Sequence, residues 1–286
     1  MNTFNRNVSK ITAATLLALT LAACGGGGGG SQSLSTDSTP TKDNKVVSVS
    51  AQKEQAIGEL EEAYDVKVDS YSVKINGKTY KSGNIDLSGL GEGLQRIKIT
   101  EEATGTTAEG SKGKAIRDSI LHIYQQPYSI VAGVEVKGGT VTAPGFRETL
   151  DAEDVDFDTV RGYATQTLPS SGKFNYVGEA LSQEQSGKFN YTVDFAAKTG
   201  SGFITDIADG ITLHEGRIGE ISHRNPDGME VTGHGIGSTA RSNSGLSGRY
   251  ALGFFGPNAD EVAGMVLQEK SPGKDVGVVG FGGKKQ

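Results

Sequence analysis

A single cysteine, Cys24, stands in the whole sequence, and tryptophan is absent. One thiol cannot form an internal disulfide, so stability must come from burial and hydrogen bonding, which a chain of this length can supply. Proline is scarce, at 7 residues, against 42 glycines. Abundant glycine without proline is neither the collagen nor the disordered composition; it suits many short strands joined by tight turns. No run after Ala23 is long and apolar enough to cross a bilayer as a helix. Positive charge is also in deficit. The formal net charge is −6, which speaks against a general nucleic-acid binder.

Catalytic and metal patterns are missing as well. Among His122, His214, His223 and His234 no pair has the i, i+4 spacing of a helical metal site. His223 and His234 flank a turn and could approach each other across a hairpin; the plainer reading is two polar surface residues. No Gly-x-Ser-x-Gly elbow lies between a strand and a helix. Gly233-His234-Gly235-Ile236-Gly237 resembles part of a phosphate loop, but it lacks the lysine-serine pair and a following helix. It reads as a thin strand beside bulky neighbours. The carboxylates are scattered, with no acid–base pair singled out. The expectation is a protein that is not an enzyme and has no cofactor and no metal site.

What is present begins at Cys24. Arg6 and Lys10 precede an apolar stretch from Ile11 to Ala23, and Leu21-Ala22-Ala23-Cys24 closes it. This is the layout of a secretory signal over residues 1–23. Leu-Ala-Ala-Cys is also the pattern of a bacterial lipobox. It predicts cleavage before Cys24 and acylation (palmitate included) of its thiol and new amino group. Several acyl chains make a stable anchor. Gly25 rather than aspartate predicts delivery to the outer membrane. Residues 24–45 are rich in glycine, serine and threonine and carry almost no apolar side chains, so they read as a flexible tether. Its reach is roughly 25 Å.

The remaining chain divides into an N-terminal β domain, 46–158, and a C-terminal β domain, 159–286. Val46, Val47 and Val49 suggest a strand, and Gln52 to Tyr64 a short helix with Ala56, Leu60 and Ala63 on one face. Tyr71, Val73 and Ile75 alternate with polar residues before Asn76-Gly77, a strong hairpin signal because both positions need positive φ. Leu94 to Ile99 alternates, and two strands flank Pro127. Asp151 to Asp158 reads as a solvated loop or linker. A calcium loop there would need a sharp-turn glycine and a closing glutamate at set spacing, and neither is present.

Gly172-Lys173-Phe174-Asn175-Tyr176 recurs as Gly187-Lys188-Phe189-Asn190-Tyr191. Two like strands with a loop at 182–186 make an antiparallel meander, with Phe174, Tyr176, Phe189, Tyr191, Val193 and Phe195 read as core. Six further strands follow, at 202–207, 211–221, 229–236, 246–255, 262–269 and 276–281. Eight strands separated by turn residues predict a closed up-and-down barrel. Gly256 to Glu261 reads as a turn containing one helical turn.

Gly187 to Lys198, Gly200-Ser201-Gly202-Phe203-Ile204, Gly248-Arg249-Tyr250-Ala251-Leu252-Gly253-Phe254-Phe255-Gly256-Pro257 and Glu261-Val262-Ala263-Gly264 resemble the factor H binding protein family of bacterial surface lipoproteins. The Gly-Pro turn and barrel also resemble transferrin-binding protein B. The resemblance covers roughly 160–286. It implies an all-β fold, with an open curved N-terminal β domain and a C-terminal eight-stranded antiparallel barrel. It further implies display at the outer-membrane surface, facing outward, by a monomer that binds a soluble host complement regulator (factor H-like or factor I) for immune evasion. Haem or host iron-protein capture is the alternative the relatives imply, with His122, His223 and His234 as the residues to watch. The loop Arg241 to Gly245 has no carboxylate, unlike the corresponding loop of the familiar factor H binders. No partner contact carries over residue by residue.

Overall fold

Apolar side chains at every second position, interrupted by left-handed turn residues, set the course of the chain. The computed structural model describes residues 46–48, 66–81, 84–107, 110–224 and 230–286. The first strands are β1 (Val46–Ser48), β2 (Val66–Ile75), β3 (Lys78–Tyr80) and β4 (Asn84–Asp86), with β1 and β4 paired to each other. Asn76 and Gly77, at φ 47° and 82°, turn β2 onto β3 as the Asn-Gly signal requires. Three long strands continue the sheet: β5 (Gly93–Thr107), β6 (Lys112–Gln125) and β7 (Ser129–Ala143). β8 (Phe146–Leu150) and β9 (Glu153–Gly162) both lie along β7. The resulting order, β3-β2-β5-β6-β7-β9, is an open sheet.

One face of that sheet is apolar. Tyr71, Val73, Ile75, Ile97, Ile99, Leu121 and Ile123 are buried on it. It also holds a buried ion pair. Arg117 Nε donates to Glu101 Oε2 at 2.6 Å, Tyr71 Oη to Oε1 at 2.8 Å and Ser119 Oγ to Oε2 at 3.1 Å. The several donors satisfy the carboxylate where water does not reach it, which a buried charge requires.

The barrel follows as one meander: β10 (Lys173–Leu181), β11 (Ser186–Asp194), β12 (Thr199–Ile204), β13 (Ile211–Arg224), β14 (Glu230–Ser242), β15 (Ser247–Phe255), β16 (Glu261–Ser271) and β17 (Lys274–Lys285). Each pairs antiparallel with the next, and β17 returns to β10, with Tyr176 opposite Lys285 and Leu181 opposite Gly280. Closure leaves the barrel no free edge. Tyr176, Phe189, Tyr191, Val193 and Phe195 point inward and are buried, and Phe174, half-buried, packs against them, so the aromatic repeat serves the core. Phe189 stacks on Phe281 at 4.8 Å between ring centres. Tyr191 and Tyr250 share a hydroxyl–hydroxyl bond of 2.7 Å, and Tyr250 Oη donates to the carbonyl of His214. Large rings on one strand face small residues on the next. A Cβ on Gly200 or Gly202 would lie within 2.7 Å of the Tyr191 ring.

Three local expectations change. Asp151 to Asp158 is not a loop: from Glu153 it forms β9, and Val155 and Phe157 are buried. Asp154, Asp156 and Asp158 occupy the alternate positions, which composition alone hides. The boundary placed after Asp158 therefore falls inside a strand. Gly256 to Ala259 is a turn without helix, because Gly256 and Ala259 are both left-handed, at φ 86° and 52°, and a right-handed helix cannot continue through them. No α-helix occurs among the described residues; the one helical piece is a 3-10 turn at Ser88–Leu90. The helix expected at 52–64, the turn at 225–228, the signal segment, the tether and Cys24 lie outside the described residues.

Candidate binding surfaces

β9 joins the two β units, and Phe157 is its peg. Phe157 is fully buried. A Cβ on Gly133 of β7 would lie 2.8 Å from its ring, and one on Gly280 of β17 would lie 2.7 Å from it. The glycines form a slot that any side chain would close. Asp156 Oδ1 accepts the Gly277 N–H at 2.9 Å beside it. A second tie runs from the β6–β7 turn to β16. Glu261 accepts from the Tyr128 N–H at 3.1 Å and from Ser129 Oγ at 2.8 Å, while Gln126 Nε2 donates to the Val262 carbonyl. Burial pushes the Glu261 carboxyl up to about 7, against the opposing pull of Ser129 and Tyr128.

A third tie holds the β10–β11 loop. Arg96 of β5 donates to the carbonyls of Ser182 and Gln185 and to Ser186 Oγ. Gln183 reaches Glu135 Oε1 at 3.0 Å. Glu135 also holds Lys137 and accepts from His122 Nε2 at 3.0 Å. Burial keeps the His122 imidazole below its ordinary range, with Glu135 pulling the other way. His122 is a structural residue, closed off from solvent.

The outer face of the barrel carries exposed apolar side chains. Across it the register places Val177, Asn190, Phe203, Thr212 and Arg241 in one row. Phe203 is 50% exposed and Val177 40%, the large hydrophobics left in solvent among the described residues. The sequence carried the signal for Phe203. Gly200, Gly202 and Ile204 alternate inward, so Phe203 must face out. The loop 241–245 has a structural task at the barrel end. Asn243 Nδ2 donates to the Asp209 carbonyl and Ser244 Oγ to the Ala208 carbonyl. These bonds brace a β12–β13 loop in which Asp206, Ala208 and Asp209 all have positive φ.

The histidines lie on three strands, β6, β13 and β14. His214 is exposed on β13. His223 pairs with Val231 and His234 with Glu220. Cross-strand partners share a face, and Val231 and His234 are an odd number apart, so the two histidine positions occupy opposite faces of their hairpin. Gly233 to Gly237 is the thin strand expected. A Cβ on Gly216 of the neighbouring β13 would lie 2.7 Å from the Ile236 side chain.

No curated protein sequence matches this chain. Among solved structures, intact Ap-TbpB (N and C lobes) is 17% identical with a TM-score of 0.37, over 77% of this chain and 46% of that one. A single mutant of transferrin binding protein B from Haemophilus parasuis Hp5 is 16% identical with a TM-score of 0.39, over 77% of this chain and 45% of that one. The chain thus spans less than half the length of these structures. Residues 166–266, from the approach to β10 into β16, match the family model described as factor H binding protein, C-terminal, and over that span the resemblance expected from the sequence holds.

Proposed function

We propose that this chain is a surface-exposed outer-membrane lipoprotein, anchored through Cys24, that binds a soluble host complement regulator of the factor H or factor I kind. Its role is capture without catalysis. The family match over residues 166–266 carries this reading. The barrel offers a rigid outer face on which Phe203 and Val177 stand exposed beside Asn190 and Arg241. Partly apolar anchors with polar neighbours are the usual centre of a protein interface. Haem or host iron-protein capture is the second reading from the sequence. The register that sets the positions of His223 and His234 on opposite faces gives haem ligation by that pair no support.

The test is a pull-down from host serum with the lipid-free protein, followed by mass spectrometry. Enrichment of a complement regulator is the expected result; its absence overturns the reading. Phe203→Ser gives a second arm. An exposed site tolerates the change within about 0.5 kcal/mol of stability, so the melting temperature should hold while capture weakens. Anchoring is tested separately by palmitate labelling, which Cys24→Ala should abolish.

A further inference from the structure

We propose that a basic cleft on the outer face of the N-terminal sheet binds a linear sulfated oligosaccharide. The cleft has a volume of about 370 Å³ and is lined by Lys74, Asn76, Gly77, Arg96, Lys98 and Thr100. Arg96, Lys98 and Thr100 alternate along β5, and Lys74 of β2 lies opposite Thr100, so all four share one face. Successive cations on β5 are about 7 Å apart, and the neighbouring strand is about 5 Å away. That is a two-dimensional array of positive charge on a chain whose net charge is −6.

Two carboxylates of the same face are committed elsewhere: Glu102 pairs with Lys114 at 2.8 Å, and Glu135 holds His122 and Lys137. A third, Asp118, accepts from Thr100 at 3.0 Å and so borders the cleft. Lys74 and Lys98 are exposed and have no ion pair among the described residues. Arg96 is pinned by its bonds to the β10–β11 loop, so one cation of the array is preorganised.

Sulfate esters suit this array because they stay ionised and offer several acceptor oxygens each. Asn76 and the nearby Ser72 add neutral hydrogen-bonding groups that match sugar hydroxyls. No aromatic ring lines the cleft, so the stacking platform that single-stranded nucleic acid needs is missing. The site lies apart from the barrel face assigned to the host protein and stands or falls independently of it.

The probe is a heparin-derived octasaccharide, titrated calorimetrically against the full lipid-free protein at low and moderate salt. Binding that weakens with salt is expected. Lys74→Glu with Lys98→Glu should weaken it at least about tenfold, while Lys173→Glu with Lys188→Glu, the same charge change on the barrel, should leave it nearly intact. Circular dichroism on both double variants keeps folding separate from binding. Failure of the octasaccharide to bind at low salt overturns the proposal, as does equal binding by the Lys74/Lys98 variant. Equal binding of the desulfated octasaccharide, or preference for phosphatidylglycerol vesicles, also overturns it.

Discussion

At Glu261 a carboxyl is buried where two β units meet, and its proton becomes part of the fold. Burial raises it from the ordinary glutamate range to about 7. The folded state therefore holds this proton more tightly than the unfolded chain. The resulting stability is fully present below the unfolded value and is lost as pH rises through about 7. Glu261→Gln keeps an acceptor for Tyr128 and removes the titration. Urea midpoints at about pH 5 and pH 8 should fall more for the native chain than for the variant. An equal fall in both would mean that Glu261 does not titrate in this window. None of this was legible from Glu261 in the sequence, where it counts as one acid before an apolar strand. Its donors, Tyr128 and Ser129, are more than 130 residues away.

The elements themselves were far more legible. Asn76-Gly77, the Phe-Asn-Tyr repeat and the Gly-rich turns between strands are local instructions, and the strands formed where those signals placed them. Element limits moved by a few residues, as at β12, which ends at Ile204 with Ile207 in the following turn. β9 is the least legible strand, because five acids in eight residues outweigh two apolar side chains when no partner surface is known. At the β2–β3 turn the effect of a substitution is simple to separate. Gly77 has φ 82° and open space around a would-be Cβ, so Gly77→Ala meets strain from the backbone alone. It should cost about 1 kcal/mol in chemical unfolding, whereas Gly77→Asn should recover much of that loss. Equal losses for both would point to a side-chain clash instead.

For the whole molecule the decisive fact is that the barrel closes upon itself. Its core cluster draws only on residues from Leu168 onward. A separate cluster, with Phe157, Val131, Phe255, Ala263 and Met265, belongs to the junction. Residues 163–286 alone should fold to a β structure with one cooperative thermal transition, at a lower temperature than the full chain because that junction cluster is uncovered. Circular dichroism and calorimetry read both properties. A fragment with no sheet signal would show that the N-terminal sheet is needed to close the barrel.

The sequence by itself determined the all-β class, the eight barrel strands and their inward rings, because alternation and turn residues act over a few positions. It also carried the family resemblance, which rests on contiguous motifs. Only the tertiary structure decided that β9 is a strand, that Phe157 locks into glycines of β7 and β17, that His223 and His234 stand on opposite faces, and that Lys74, Arg96 and Lys98 line one cleft. Those outcomes depend on contacts between distant segments and on register. A shift of one residue in register would have moved each of these positions to the other face of its sheet.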